Sequence, residues 1–563
     1  MSAAEADAEP EPDRRDWWRD AVVYQVYPRS FADANGDGWG DLPGVTSRLQ
    51  YLRDLGVDAL WLSPFYPSPQ ADGGYDVVDY RAVDPRFGTL ADADRLVAGA
   101  SRLGLKVIVD LVPNHSSDEH PWFQAALKAG PGSPERSRYL FRDGRGRAGG
   151  RPPNNWMSVF GGAGWTRVVE VDGRPGQWYL HLFDAKQPDF DWTSSHVREE
   201  FRSILRFWLD RGVAGFRVDV AHGLVKRTGL PDYGTTTRLL GRTPDGHDPG
   251  TPRSALAPMW DQDGVHEIYR DWRRVVDSYR EPDPVLCAEA WVSPPERLAR
   301  YVRPDEMHQA FTFDLLASTW DARALRQAVD RSLAAMGAVG APCTWVLSSH
   351  DAVRHASRLG LPPQYQRLGG IRASDPQPDR PLGLRRARAA TMLMLALPGA
   401  AYLYQGEELG LPDHTTLPDS LRQDPAYRRS GGRQTGRDGA RVPLPWRAEA
   451  PGLGFGPSGR TWLPQPPSYG EYAVDRQDGV AGSTLSLYRR LLALRRCRRL
   501  GLGTLTWDES RTSGRVLAFT TAAAGREPVR VLVNLGRRAV PLPRGADVLL
   551  SSAPLQPSGA VGS

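Results

Sequence analysis

A chain of 563 residues can hold about two to four domains, and its net charge of +5 rests mostly on arginine, because lysine occurs only four times. The arginines are interspersed with aspartates and glutamates and form no long basic block, which argues against a nucleic-acid surface. The three cysteines are far apart and lack metal-ligand spacing, which excludes a disulfide framework.

The N-terminal residues 1–16 are acidic and rich in proline. They have neither the cationic start nor the apolar run of a signal peptide, and no segment of the chain reaches the ~18 consecutive apolar residues of a membrane-spanning helix. We therefore expect a disordered tail over 1–16. We also expect a soluble cytoplasmic protein, monomeric or dimeric, that binds neither a membrane nor nucleic acid.

From residue 22 onward, strand-like and helical patterns alternate eight times. Strands are predicted at Val22–Tyr27, Ala59–Leu62, Lys106–Asp110, Gly215–Asp219, Val285–Glu289, Ala310–Asp314, Thr344–Ser349 and Ala401–Tyr404. Helices are predicted at Val45–Leu55, Leu90–Leu103, His196–Arg211, Val265–Tyr279, Pro294–Tyr301, Ala322–Met336, Leu384–Leu397 and Ser483–Cys497. This alternation predicts a closed (β/α)8 TIM barrel, whose active site lies at the C-terminal ends of its strands.

Two regions stand outside the simple alternation. Residues 116–188 are too long for a crossover and rich in Gly, Pro and Trp, so we interpret them as a small domain inserted after the third strand. Short alternating runs at Arg515–Thr520 and Val529–Asn534 predict a C-terminal β-sandwich over 502–563. The barrel itself is then expected in two parts, 17–115 and 189–501.

An oxygen-rich loop follows the first strand. Asp33, Asn35, Asp37 and Asp41 place oxygen ligands at alternate positions, with glycines where the chain would curl around an ion. Gly44 stands where an EF-hand has its bidentate Glu, and no helix precedes the loop, so an EF-hand is not favoured. The alternative is a polar turn, and we favour a metal site for calcium rather than magnesium.

Three carboxyl groups come at the ends of predicted strands. Asp219 shares a strand face with Arg217, whose guanidinium favours the ionised form and lowers the pKa of the carboxyl. Glu289 leaves an apolar strand beside Trp291, surroundings that raise a Glu pKa and suit a general acid. Asp351 follows the seventh strand. Two carboxyls with different pKa values are what glycoside hydrolysis requires, whereas any one of them alone could be an ordinary acid at the barrel rim.

Four stretches resemble, in the same order, the conserved regions of glycoside hydrolase family 13, the α-amylase family. They are Asp110–His115, Gly215–Asp219, Glu289–Trp291 and Ser349–Asp351. A fifth stretch, Lys186–Trp192, resembles a signature of the oligo-1,6-glucosidase and α-glucosidase branch, and the resemblance runs from about residue 17 to the C-terminus. The longer runs 219–226 and 462–466 look most like actinobacterial α-glucosidases.

The resemblance implies a role for each matched residue. Asp219 would be the nucleophile that forms a β-glucosyl-enzyme, Glu289 the acid and then the base, and Asp351 the stabiliser of the distorted sugar. The residues matched to the glucose-binding pocket are Asp72, Tyr75, Asp76, His115, Phe160, Arg217, His350 and Arg441. In the metal loop the resemblance carries over, as calcium ligands, Asp33, Asn35, Asp37, Asp41 and the carbonyl of Trp39.

The resemblance also bears on the substrate. Asp72 and Arg441 resemble the pair that closes over the non-reducing end in exo-acting members, although the family usually has ARTPMQW where this chain has ARVPLPW at Ala440–Trp446. Val220 after the nucleophile is associated with α-1,6 cleavage, whereas the longer matches favour maltose and short α-1,4 malto-oligosaccharides. We therefore predict an exo-acting retaining α-glucosidase that acts mainly on α-1,4 links in small oligosaccharides.

Three alternatives remain open. One is an oligo-1,6-glucosidase. Another is a transglucosylase or isomerase similar to trehalose synthase, although trehalose synthases tend to carry Glu-Ala-Asn where this chain has Glu289-Ala-Trp. The third is a non-catalytic barrel that partners a membrane transporter, against which the complete set of three carboxyls argues.

Overall fold

The structure is a computed structural model that describes residues 16–233, 257–555 and 560–561. Apart from Asp16, the tail predicted over 1–16 lies outside these residues. The strands, in chain order, are β1 (Val22–Val26), β2 (Ala59–Leu62), β3 (Lys106–Leu111), β4 (Phe141–Arg142), β5 (Trp165–Val169), β6 (Pro175–Leu180), β7 (Gly215–Val218), β8 (Val285–Ala288), β9 (Gln309–Thr312), β10 (Thr344–Val346), β11 (Ala400–Tyr404), β12 (Thr504–Trp507), β13 (Val516–Ala522) and β14 (Val529–Asn534).

The α-helices lie between these strands and after them. In chain order they are α1 (Leu42–Ser47), α2 (Leu49–Leu55), α3 (Leu90–Arg102), α4 (Pro121–Ala129), α5 (Ser195–Leu209), α6 (Val265–Val276), α7 (Pro295–Ala299), α8 (Phe313–Ala317), α9 (Ala322–Gly337), α10 (His355–Arg358), α11 (Arg380–Ala396), α12 (Pro425–Arg429), α13 (Val474–Gln477) and α14 (Thr484–Arg498). None of the helices in the described ranges is long and apolar enough to cross a bilayer.

Eight strands close into a parallel barrel in the order β1, β11, β10, β9, β8, β7, β3, β2. In the register of β3, β7 and β8, Asp110 of β3 lies opposite Arg217 of β7, and Arg217 lies opposite Cys287 of β8. The predicted (β/α)8 barrel is confirmed, and the ends of its eight strands differ from the predicted ones by no more than three residues.

The helices cover the barrel with apolar stripes, as α5 illustrates. Its buried residues include Val197, Phe201, Leu205 and Trp208, which recur at the spacing of one helical face. The indole of Trp208 also donates to the carbonyl of Tyr80 over 2.8 Å, so its one polar atom is satisfied. Burial of each such side chain contributes about 1.5–3 kcal/mol to folding.

Gly215 begins β7 and allows a close approach to β8. Its φ is +138°, and a Cβ at this position would lie 2.1 Å from the carbonyl oxygen of Val285. Any side chain here would therefore push β7 away from β8. The next residues of β7 carry Arg217 and lead to Asp219, so this contact fixes the part of the barrel from which the charged side chains project.

Two smaller sheets accompany the barrel. Between β3 and α5, within 116–188, the strands β4, β6 and β5 form an antiparallel sheet in that order. In the described part of 502–563, β12, β13 and β14 form a three-stranded antiparallel sheet. Thr521 of this sheet donates to the carbonyl of Ala396 over 2.7 Å and so joins it to the end of α11. The exact domain boundaries assigned from the sequence stay predictions.

Candidate active site

The three predicted catalytic carboxyls meet at one cavity at the C-terminal ends of the barrel strands. Asp219 follows β7 directly, Glu289 follows β8 directly, and Asp351 lies in the loop after β10. All three line a cavity of about 430 Å³. A larger cavity of about 760 Å³ lies between the C-terminal sheet and α11 and α14, but its lining holds one acid, Asp547, so we place the chemistry in the smaller one.

Arg217 connects the acids around this cavity. Its Nη1 donates to Asp219 Oδ1 over 2.7 Å and to Asp110 Oδ1 over 2.9 Å, and its Nη2 lies 3.7 Å from Glu289 Oε2. The guanidinium also lies 4.9 Å from the centre of the Trp61 ring. One buried cation thus contacts three carboxyl groups. Its contact with Asp219 agrees with the prediction that Arg217 and Asp219 lie on the same face of the strand.

The pKa of Asp219 moves in the direction opposite to the prediction. Burial raises the pKa of Asp219, and the neighbouring carboxyls of Glu289 and Asp110 raise it further against the opposing effect of Arg217. Burial also raises the pKa of Glu289 and brings that of Asp110 to about 6. The sequence shows the Arg beside Asp219 but not the three acids that share it, so burial and mutual repulsion were missed.

If one proton is shared by Asp219 and Glu289, the geometry favours Glu289 as the protonated carboxyl. Asp219 has the direct ion pair to Arg217 at 2.7 Å, whereas Glu289 is 3.7 Å from the same guanidinium. The shorter pair stabilises the charged form of Asp219 more strongly, because Coulomb attraction falls with distance and a hydrogen bond adds to it. The predicted division of an ionised nucleophile and a protonated acid is therefore compatible with the geometry.

Val220 holds the acid through its backbone. Its N–H donates to Glu289 Oε2 over 2.8 Å, and its φ is +46°. A β-branched residue avoids this left-handed conformation, so the backbone here is strained. The Val220 side chain is buried in an apolar cluster that includes Phe160 and Phe183, whose packing stabilises the turn. Nothing in the sequence indicates the positive φ.

Asp351 is held by cations. Its Oδ1 accepts from Arg437 Nη1 over 2.8 Å and from Arg441 Nη2 over 3.0 Å, and His350 Nε2 lies 3.2 Å from Oδ2. Burial acts to raise the pKa of Asp351, but the contact with His350 and the positive charges of Arg437 and Arg441 outweigh it and hold the pKa below its ordinary value. Asp351 is therefore ionised at neutral pH.

His350 is a neutral member of the site. Burial lowers its pKa well below the ordinary value. The side-chain amide of Gln25 lies 2.6 Å from Nδ1 and donates to it, so the ring proton sits on Nε2, the atom that faces Asp351. The imidazole also stacks on the ring of Tyr75, with ring centres 5.2 Å apart and planes 4° from parallel. His350 thus orients two residues of the cavity and is not itself among its lining.

Asp72 pairs with Arg437, not with the predicted Arg441. Arg437 Nη2 donates to Asp72 Oδ1 over 2.6 Å, and its Nε donates to Asp424 Oδ2 over 2.6 Å. Arg441 instead donates to the carbonyl of His350 over 2.8 Å and to Asp351. Both arginines lie in the same loop four residues apart, and a single turn of 3₁₀ helix, Asp438–Ala440, separates them. Sequence similarity alone did not distinguish them.

The other predicted pocket residues fall into two groups. Tyr75, His115 and Phe160 line the cavity with Asp72. Tyr75 donates its hydroxyl to Asp110 Oδ2 over 2.9 Å, and burial lowers the pKa of His115 to about 4, so that ring is neutral near pH 7. Asp76 is fully buried behind the cavity.

Asp76 holds the loop that carries Asp72. Its carboxyl accepts from the backbone N–H of Ala71 over 2.8 Å and of Asp72 over 3.1 Å. The other oxygen of Asp72, Oδ2, lies 3.3 Å from Nε2 of Gln187, which is 3.1 Å from Nε2 of His115. Asp76 thus supports the loop of Asp72 and does not line the cavity, and its predicted contact with the sugar stays a prediction.

Lys226 makes a buried ion pair that sequence analysis did not single out. Its Nζ lies 2.8 Å from Asp189 Oδ2 and donates to Asn114 Oδ1 over 2.9 Å. The side chains of Lys226 and Asp189 are 2% and 0% exposed. The contact joins the loop after β7, which begins with Asp219, to the segment that leads from β6 into α5. The only feature of the sequence that points to this ion pair is the rarity of lysine, which occurs four times in an arginine-rich chain.

The predicted metal loop binds its own backbone. Asp33 accepts from the N–H of Gly36 and Gly38 over 2.6 and 2.9 Å, and Asp41 accepts from that of Gly44 over 2.6 Å. In the described ranges no three His, Cys, Asp or Glu side chains converge as metal ligands do.

The remaining members of the loop follow the same pattern. Asn35 Oδ1 accepts from the N–H of Asp37 over 2.8 Å, and Asp37 Oδ1 accepts from the N–H of Trp39 over 2.7 Å. The donor types, three carboxylates and two neutral oxygens, are those that a hard cation prefers. The loop therefore suits calcium in its chemistry, and the calcium itself stays a prediction.

The family model, the curated relatives and the solved structures that match this chain all cover most of its length. Residues 25–501 match the family model described as alpha amylase, catalytic domain. The chain is 36% identical over 543 residues to a probable alpha-glucosidase of Rhizobium meliloti (strain 1021), a match that covers 94% of this chain and 91% of that protein. It is 34% identical over 514 residues to an oligo-1,6-glucosidase of Parageobacillus thermoglucosidasius, covering 86% and 84%. A solved structure of an alpha-glucosyl transfer enzyme, XgtA, is similar with a TM-score of 0.81 at 36% identity, covering 96% of each chain.

Proposed function

The chain belongs to the α-amylase family of glycoside hydrolases, and on that premise we propose that it is an exo-acting retaining α-glucosidase. It releases α-glucose from the non-reducing end of maltose and short α-glucosides, mainly with α-1,4 links, through a β-glucosyl-enzyme. The observation that carries the proposal is the placing of Asp219 and Glu289 on either side of one guanidinium, with Asp351 on the same cavity.

The free oxygens of the two carboxyls suit the first step. Arg217 occupies Oδ1 of Asp219, which leaves Oδ2 to attack the anomeric carbon. The backbone N–H of Val220 occupies Oε2 of Glu289, which leaves Oε1 to carry the proton. The bond from Asp219 to the anomeric carbon forms as the glycosidic bond breaks, and the proton of Glu289 goes to the leaving oxygen.

The second step reverses these roles. Glu289, now ionised, takes a proton from water, whose oxygen attacks the anomeric carbon and releases Asp219 as a carboxylate. Two inversions at the anomeric carbon retain the α configuration. In the transition state of each step the sugar carries positive charge, which the ionised Asp351 stabilises.

A closed inner end supports release of single glucose units. Arg437 is 11% and Asp72 5% exposed, and the guanidinium of Arg437 lies 5.2 Å from the centre of the Phe160 ring. A chain continuing past the glucose would have to break this ion pair and displace this ring. The ion pair of Asp72 and Arg437 therefore favours exo-action. The sequence predicts the same role for Asp72 but with Arg441 as its partner.

The test is product analysis with maltose, isomaltose, trehalose and sucrose supplied separately. We expect glucose from maltose, and we expect turnover to be lost in Asp219→Asn and in Glu289→Gln. The matched control is Glu267→Gln, because that side chain is 66% exposed on α6, away from the cavity. Turnover of maltose by Glu289→Gln at the wild-type rate would refute the mechanism, and use of isomaltose in place of maltose would favour an oligo-1,6-glucosidase.

Glucosyl transfer is the second candidate, because a similar solved structure is named an alpha-glucosyl transfer enzyme. Transfer and hydrolysis share the β-glucosyl-enzyme and differ in whether a sugar hydroxyl or water attacks it. Oligosaccharides that accumulate from concentrated maltose, without an equal amount of free glucose, would assign the chain to the transferases.

We include a structural calcium in the proposal, at Asp33, Asn35, Asp37, Asp41 and the carbonyl of Trp39. When bound it would brace the loop after β1, and it takes no part in the reaction. A rise in Tm on adding calcium to protein treated with a chelator, lost in Asp37→Ala, would support it. An equal Tm with and without calcium would refute it. The similarity to actinobacterial α-glucosidases, the cytoplasmic location and the monomeric or dimeric state stay predictions.

A further inference from the structure

The charge of the side chains that line the active-site cavity changes from negative at its inner end to positive at its opening. The inner lining includes the buried carboxyls of Asp72, Asp219 and Glu289 and the partly buried carboxyl of Asp351. The outer lining includes two exposed arginines, Arg367 between α10 and α11 and Arg433 shortly after α12. The segment 422–437, which supplies part of this outer wall, contains five arginines and one acid.

Arg433 has no counter-charge among the described residues, unlike Arg367, Arg422 and Arg437 nearby. Arg428 also has no acidic partner, but its guanidinium donates to the carbonyl of Gln423. Arg437 binds three carboxyls, Arg422 donates to Asp419 over 2.9 Å, and Arg367 binds Asp375. In the described part of the chain the Arg433 guanidinium makes no ion pair and no hydrogen bond, and only its backbone N–H has a partner, the carbonyl of Ser430.

The opening is also where the leaving group has to lie. The inner end is closed by the pair of Arg437 and Asp72, so a glucose bound against Asp219 directs the rest of the substrate outward. The part beyond the scissile bond therefore passes the outer wall that contains Arg433. Guanidinium groups bind carboxylates and phosphates through paired N–H donors, which makes them suited to an anion in that position.

We propose that the leaving group of the preferred substrate carries an anion, a carboxylate or a phosphate, which Arg433 binds at the opening of the cavity. This inference rests on the proposed α-glucosidase function and names its substrate class. The opposite signs at the two ends also orient the substrate, because the inner carboxyls repel an anion while the neutral glucose enters.

The test compares two glucosides that differ in charge and little else. Maltobionate and maltitol both carry α-1,4-linked glucose on an open six-carbon chain, and only maltobionate carries a carboxylate. We expect kcat/KM to be about 10-fold higher for maltobionate, the ratio that one exposed charge-assisted hydrogen bond supplies. The ratio should fall as salt is added, because the charges are solvent-exposed.

Variants of two arginines in one loop locate the effect. Arg433→Gln should bring the ratio close to one. Arg428→Gln is the matched control, since the Arg428 side chain donates to the carbonyl of Gln423 and does not line the cavity. This variant should keep the wild-type ratio. Maltose phosphorylated on its reducing glucose, compared with maltose in the same way, distinguishes a phosphate from a carboxylate.

The outcomes separate this inference from the function on which it rests. Hydrolysis of maltitol with an equal or lower kcat/KM for maltobionate and for the phosphate ester would overturn the inference alone. A preference for the anion that survives in Arg433→Gln would overturn the role of Arg433. A purified enzyme that hydrolyses none of these glucosides would overturn the α-glucosidase function and the inference with it.

Discussion

The guanidinium of Arg437 donates to Asp72 over 2.6 Å and so closes the inner end of the active-site cavity. Burial raises the pKa of Asp72 to about 7, against the lowering effect of Arg437. The same guanidinium reaches Asp351 over 2.8 Å. A single side chain thus connects Asp72, which we propose limits the pocket, to Asp351, which we propose stabilises the sugar. This link makes Arg437 the first target for mutation.

Arg437→Lys keeps the positive charge but removes the planar fork that serves several carboxyls at once. We expect kcat/KM for maltose to fall at least about 10-fold, the cost of one lost charge-assisted hydrogen bond. Steady-state kinetics of the purified variant measure this. Arg428→Lys in the same loop, whose guanidinium donates to the carbonyl of Gln423 and does not line the cavity, is the control and should change kcat/KM little. A wild-type kcat/KM in Arg437→Lys would contradict the closed-pocket account.

Lys226→Met tests the buried ion pair between Lys226, in the loop after β7, and Asp189. The substitution leaves the carboxyl of Asp189 buried without its cation, which costs about 3–5 kcal/mol of unfolding free energy. Lys186→Met is the matched control, because Lys186 pairs with Asp118 while its side chain is 52% exposed, and such pairs contribute about 0–1 kcal/mol. Urea unfolding of both variants measures the difference, and equal losses would show that burial of the Lys226 pair has no special role.

Glu407→Gln tests a buried acid remote from the reaction. Burial raises the pKa of Glu407 from 4.5 to about 8. Between these values the folded protein holds a proton that the unfolded chain has released, so stability is greatest below pH 4.5 and is lost as the pH rises through 8. Glutamine does not titrate, and it keeps an oxygen for the N–H of Tyr404.

The Tm of the wild type should therefore fall, relative to that of Glu407→Gln, as the pH is raised from about 5 to about 9. The exposed Glu267→Gln serves as the control and should follow the wild type across the range. Parallel curves for wild type and Glu407→Gln would show that the acid does not hold its proton in the folded state.

The sequence was sufficient to predict the barrel and the meeting of the three carboxyls. Strand ends in a parallel barrel share one rim, so Asp219, Glu289 and Asp351 had to approach one another once their strands were recognised.

Other features depend on contacts that no local pattern encodes. Arg437 and Arg441 are equally plausible partners of Asp72 by spacing, and only the path of the loop decides between them. The raised pKa of Asp219 depends on burial and on Asp110, which comes from a different strand. The positive φ of Val220 depends on packing against the segment 116–188. Residues 234–256, which belong to the connection between β7 and α6, lie outside the described residues.

The most direct test of the central claim is the anomeric configuration of the first glucose released from maltose, followed by proton NMR before mutarotation. The account predicts α-glucose, because Asp219 forms a covalent intermediate that water then opens with a second inversion. Release of β-glucose would mean a single inversion, and it would contradict the assignment of Asp219 as nucleophile.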